Sequence, residues 1–178
     1  MNIKSIILIA FIAGLTSFTE KDTIKYDGSS FEVSERTLLD YGVTKVGGKE
    51  FRMYEFVFTD GNLKWDDEVF EKCTYAIFLG FRSPSGKILK KGTYKFKHTG
   101  GGEIMLMDEV YMAFDKNNNG NVWDGSDNLT SNIKESKEGQ MTVSGESPNY
   151  IIEFEFMMND GKKANGIING PFKFIEDI

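Results

Sequence analysis

Residues 150–158 read Tyr-Ile-Ile-Glu-Phe-Glu-Phe-Met-Met, so Tyr150, Ile152, Phe154, Phe156 and Met158 recur at every second position with Glu153 and Glu155 between them. Side chains alternate across a strand, whereas an amphipathic helix needs an apolar period near 3.6. This stretch therefore predicts a strand with one buried face and one wet face. Asn159-Asp160-Gly161-Lys162 follows, and Asp-Gly readily supplies the pair of positive φ angles of a two-residue hairpin. The return strand is expected over Ala164 to Ile168, and after Gly170-Pro171 the chain alternates again in Phe172-Lys173-Phe174.

The rest of the chain repeats this grammar. Short runs rich in Phe, Tyr, Ile and Val are bounded by Gly, Asn, Asp or Ser, and from Tyr26 onward no long helical period occurs. Strands are predicted at Ser30–Val33, Thr37–Tyr41, Phe51–Thr59, Thr74–Arg82, Thr93–Lys97, Ile104–Phe114 and Gln140–Gly145. Ser83-Pro84-Ser85-Gly86 is predicted as a turn. Thr74–Arg82 and Phe51–Phe58 are apolar on both faces, which places them at the centre of the sheet. The 15 Phe and 7 Tyr favour strands, and a hydrophobic fraction of 40% in 178 residues supports one domain with a core. The expected fold is all-β: a single antiparallel β-sandwich or closed meander barrel of about eight to ten strands.

At the N-terminus Lys4 precedes the apolar run Ile6–Leu15, which gives way to Thr16-Ser17-Phe18-Thr19-Glu20. That order is the one an export signal uses, and the run is shorter than the roughly 20 residues of a membrane-spanning helix. Residues 1–18 are therefore read as a signal peptide and 19–178 as the β domain. The expected location is secreted or periplasmic, with no membrane span after signal removal. Cys73 is the single cysteine, so no intramolecular disulfide forms and no cysteine behind the apolar run receives a lipid. A net charge of -6 with no basic tract excludes nucleic acid as the expected partner.

Leu38-Leu39-Asp40-Tyr41-Gly42, Ser83-Pro84-Ser85-Gly86 to Lys91-Gly92-Thr93-Tyr94, Val143-Ser144-Gly145 to Tyr150-Ile151-Ile152-Glu153-Phe154, and Asp160-Gly161-Lys162 to Gly166 and Gly170-Pro171 occur in that order. Over roughly Phe31 to Ile175 the chain resembles the small exported or lipid-anchored all-β proteins of unknown function common in Bacteroidetes. The resemblance implies a β-sandwich or barrel and supplies no activity and no site.

Chemistry-bearing residues concentrate in the two long connections, Asp60–Lys72 and Asp115–Glu138. The first carries Trp65 and the acidic Asp66-Asp67-Glu68 and has room for a helical turn. In the second, Asp115, Asn117, Asn119 and Asn121 alternate around Gly120, the spacing of a calcium loop. Its twelfth position is Ser126 where a bidentate Glu normally closes the shell, so only weak calcium binding is expected, with Asp124 and Asp127 completing the set. Ordinary turn chemistry explains the same residues, and that reading is preferred. Trp65 and Trp123 are the candidate ligand-binding residues, because an exposed loop indole stacks on a sugar or another flat ligand; packing over the sheet end competes with that reading.

No catalytic set is evident. Glu153 and Glu155 have the spacing of a glycosidase pair but are better read as the polar face of their strand. His98 is the single histidine and reads as a loop residue, Cys73 reads as a small core residue, and Gly100-Gly101-Gly102 opens no helix and so is no phosphate loop. The expectation is a non-enzymatic exported binding or interaction module, its partner a small molecule, a glycan or an envelope protein. An extracellular hydrolase of a polymer and a purely structural envelope protein are the alternatives.

Overall fold

The computed structural model describes residues 22–64, 69–86, 88–96, 105–115, 118–122 and 134–176. Its strands are β1 (Thr23–Tyr26), β2 (Ser29–Glu32), β3 (Glu35–Val46), β4 (Lys49–Thr59), β5 (Asn62–Lys64), β6 (Val69–Glu71), β7 (Tyr75–Pro84), β8 (Gly92–Phe96), β9 (Leu106–Phe114), β10 (Lys134–Glu146), β11 (Asn149–Met158), β12 (Lys163–Pro171) and β13 (Lys173–Glu176). The fold is all-β, as the alternation requires. Residues 1–21, which contain the expected signal, lie outside the described residues, as do 65–68 and 97–104.

Eleven strands form one sheet in the order β13-β3-β4-β7-β9-β8-β10-β11-β12-β1-β2, and β5 and β6 pair as a separate hairpin. The sheet is open, ending at β13 and β2, which corrects the closed barrel. It is also mixed: β13 runs parallel to β3, and β8 parallel to β9. A plain meander is ruled out because the last strand of the chain joins the end that begins with β3, and not its neighbour β12.

Strand twist and three register shifts, at Asp40/Val43, Gly80/Phe81 and Ser136/Glu138, curl the sheet until its halves face each other. Phe58 of β4 stacks on Phe154 of β11 at 6.4 Å, and Phe56 meets Phe172 at 5.2 Å. The concave core holds Tyr150, Ile152, Phe154, Phe156 and Met158, while Glu153 and Glu155 point outward, the register the alternation predicts. At Gly139, with φ at +146°, an added Cβ would lie 2.3 Å from the Glu155 carbonyl oxygen, so glycine alone lets β10 bend this tightly against β11.

β7 is buried along both faces because a second cluster lies outside the curl. There Leu39, Val57, Ala76, Phe78 and Ala113 are covered by Leu63 and Phe70 of the β5–β6 hairpin and by Val122. The described part of the Asp60–Lys72 connection is thus this hairpin, and residues 65–68, where the sequence has room for a helical turn, lie outside the described residues. Ser83-Pro84 extends β7, so the bend expected over Ser83–Gly86 is confined to Ser85-Gly86.

Two turns also differ from expectation. At Asn159–Gly161 only Gly161 has positive φ, and the Gly161 amide donates to the Met158 carbonyl at 3.0 Å, so the hairpin is a turn closed by a glycine bulge. Two-residue turns with both φ angles positive occur instead at Asp27-Gly28, joining β1 to β2, and at Gly47-Gly48, joining β3 to β4.

Asp22 fastens the two ends of the sheet. Its carboxylate accepts from Arg36 Nε on β3 at 2.7 Å and from the Asn169 amide on β12 at 3.0 Å, and its carbonyl accepts from the Val33 amide at 3.0 Å.

Candidate functional site

The Asp115 loop uses its polar side chains on itself. Asp115 accepts from the Gly120 amide at 2.7 Å and the Asn119 amide at 3.3 Å, and Asn119 Oδ1 accepts from the Asn121 amide at 2.8 Å. The Gly120 carbonyl in turn accepts from the Cys73 amide at 2.9 Å, which seats Val122 on the outer cluster. The structure therefore brings Asp115, Asn119 and Asn121 together as a turn. Asn117, Asp124 and Asp127 lie outside the described residues, and so do Trp65, Trp123, His98 and Gly100–Gly102. Among the described residues no group of three or more His, Cys, Asp or Glu side chains could hold a metal ion.

Cys73 is buried in the outer cluster with its sulfur 3.6 Å from the Glu71 carbonyl oxygen and 3.7 Å from that of Asn62. Burial pushes its thiol pKa up, which keeps it protonated and unreactive.

A titratable cluster that sequence reasoning missed sits on the outer face of β4, β7 and β9. Glu55 pairs in register with Gly80, and Gly80 with Glu109, so no side chain separates the two glutamates. Tyr41, held over them beyond the β3 bulge, donates its hydroxyl to Glu55 Oε2 at 2.9 Å. Glu55 is 7% exposed, and burial raises its carboxyl from about 4.5 to about 7 against the lowering effect of the Tyr41 hydrogen bond, with Glu109 adding to the rise.

The other half of the sheet carries a groove. It encloses about 550 Å³ on the outer face of β10, β11, β12 and β1. Strand register sets its lining in two rows: Gln140, Glu155, Asn165 and Lys25 in one, and Thr142, Glu153, Ile167 and Thr23 in the other. Asp22, through its clasp, and Asn169 close one corner. Glu155 is ion-paired to Lys163 at 3.2 Å, whereas Glu153 and Lys25 have no ion pair among the described residues. Ile167 and Ile151 on the same face are 54% and 43% exposed. The surface offers amide, hydroxyl and carboxylate groups beside small apolar patches, a set suited to binding polar ligands.

Glu153 and Glu155, read from sequence as merely the wet face of a strand, thus line this groove. Their partners lie on the flanking hairpin strands β10 and β12, and β1 from the other end of the sequence extends both rows. No protein-family model matches this chain, and neither a curated protein nor a solved structure matches it.

Proposed function

We propose that this chain is an exported, non-enzymatic binding module whose ligand seat is the groove over β10, β11, β12 and β1. The groove itself carries the proposal: a concave volume of about 550 Å³ lined by polar side chains on an outer face that alternation alone would leave as plain wet surface. A purely structural role supplies no reason for such a concavity. Glycoside hydrolysis by a carboxyl pair needs one carboxyl held protonated at neutral pH. Glu55, whose carboxyl is held near 7 by burial, belongs to the other half of the sheet, away from the groove. Should calcium bind, Asp115 would supply the one carboxylate among the described loop positions.

Export is supported by the order Lys4, Ile6–Leu15 and Thr16–Glu20. Mass spectrometry of the exported product should show a chain that begins at or after about Thr16 and keeps Asp22, because the clasp requires it. An intact Met1 on a soluble product would refute export.

The binding test is a thermal-shift screen of small hydrophilic metabolites, short peptides and oligosaccharides, run on the mature chain and on Asn165→Arg, which fills the groove. One class should raise the melting temperature of the wild type and leave the variant unmoved. No response to any class at millimolar concentration, or equal responses from both proteins, would refute the groove as the seat.

A further inference from the structure

We infer that the groove takes a linear, uncharged polysaccharide laid across the strands and bound at internal residues of the polymer; this rests on the groove being the ligand seat. The lining is periodic. Each row presents one side chain per strand, and strands lie about 4.8 Å apart, so four strands offer a ladder about 15 Å long. A compact ligand meets one or two rungs, whereas a linear ligand with a regular polar repeat meets them all.

Both rows also run on past the groove. The first continues to Lys95 on β8 and Ser30 on β2, and the second to Thr93 and Glu32 on the same two strands. The polar track therefore crosses six strands, and a polymer can enter at one side and leave at the other.

The donors and acceptors favour hydroxyl groups. Gln140 and Asn165 offer both an amide donor and an acceptor, Thr23 and Thr142 offer hydroxyls, and Glu153 is an acceptor with no ion pair among the described residues. Ile167, which lines the groove and is 54% exposed, provides apolar contact for the C–H face of a sugar ring. Charge gives no preference for a polyion. Asp22 pairs with Arg36 and Glu155 with Lys163, which leaves one further carboxylate, Glu153, and one cation, Lys25, in the lining.

A peptide fits less well. β10, β11, β12 and β1 each have a strand on both sides, so no backbone edge is open inside the groove to pair with a peptide main chain.

The test is calorimetry of the mature chain with uncharged oligosaccharides of one to six units, in β-1,4-glucan, β-1,4-xylan, β-1,4-mannan and α-1,4-glucan series, with free and capped ends. At least one series should bind about tenfold more tightly at five or six units than at two, regardless of capping, as each rung adds its hydrogen bonds. Thr142→Ala and Asn165→Ala, both on a wet face, should each weaken the long oligomer several-fold with circular dichroism unchanged. Equal affinity for monomer and hexamer, loss of binding on capping, or salt-sensitive binding confined to uronic-acid polymers would overturn this inference. So would a preference for short peptides. If only a compact metabolite binds and Asn165→Arg abolishes it, the groove remains a seat and the polymer reading fails. If none of these ligands binds, both fail.

Discussion

Replacing Glu55 by glutamine should stabilise the fold at pH 8 and change it little at pH 4. Glu55 lies on β4 between Leu39 and Gly80, 7% exposed, with the Tyr41 hydroxyl on Oε2 and with Glu109 and Tyr111 facing the same patch. Its carboxyl titrates near 7 in the folded chain against about 4.5 when exposed, chiefly because burial penalises the charged form. A folded-state pKa above the unfolded value means that the native state binds the proton more tightly. Its contribution is therefore complete below about 4.5 and is lost as the pH rises through about 7. At about 1.4 kcal/mol per pH unit, that gap corresponds to about 3 kcal/mol. Glutamine keeps the shape and cannot ionise, so the variant escapes the loss. Urea denaturation of both proteins between pH 4 and pH 8 should give curves that separate between about 4.5 and 7 and differ by up to about 3 kcal/mol at pH 8. Glu109→Gln, which removes the neighbouring charge, should move the separation to lower pH. A difference that does not vary with pH, or a Glu55→Gln protein less stable throughout, would refute the argument.

Phe154→Ala should cost about 3–5 kcal/mol through the cavity it leaves against Phe58, while Glu153→Ala costs little; equal losses in denaturant would overturn the register of β11. Gly139→Ala should destabilise by at least about 2 kcal/mol, because its Cβ would meet the Glu155 carbonyl at 2.3 Å; a loss under about 0.5 kcal/mol would mean that β10 does not bend there. Asp115→Ala should lower stability by about 1–2 kcal/mol by freeing the Gly120 and Asn119 amides. A millimolar calcium site here would show as a stabilisation of the wild type by about 1.4 kcal/mol at about 10 mM calcium, absent from this variant. No calcium effect on either protein would make the loop a turn alone.

What could be read from the sequence depended on how strongly each strand alternated. β11 was visible because an apolar residue recurs at every second position from Tyr150 to Met158, and β12 because the Asp160-Gly161 turn sends the chain back beside it. β4 and β7 were visible as central because both faces are apolar, although the reason, a second cluster under the β5–β6 hairpin, was not. β1 has only Thr-Ile-Lys-Tyr to declare it, yet Asp27-Gly28 marked its hairpin and was the signal to use. The parallel pairings of β13 and β8 leave no local trace, since the partner is chosen by the curl of the whole sheet. The groove was hidden for a different reason: Gln140, Asn165 and Lys25 are unremarkable surface residues until hairpin register and the distant strand β1 align them with Glu155. Glu55 was hidden inside a run that reads as core, and its burial depends on the absence of a side chain at Gly80 and on the bulge that swings Tyr41 over it.

The open sheet joins early and late stretches of the chain: Thr23 pairs with Ile167, and Phe174 with Leu38. No N-terminal fragment can therefore complete the sheet, and most of its stabilising contacts join distant stretches of sequence. Such a topology folds slowly, because loop closure must precede the pairings that reward it. A chain that emerges or is threaded N-terminus first holds β1 and the inward aromatics of β4 without their partners on β12 and β11 until those strands arrive. Over that interval the apolar surfaces of β4 and β7 are open to pairing with other copies, so the dangerous period for aggregation ends only when the last strands reach the first.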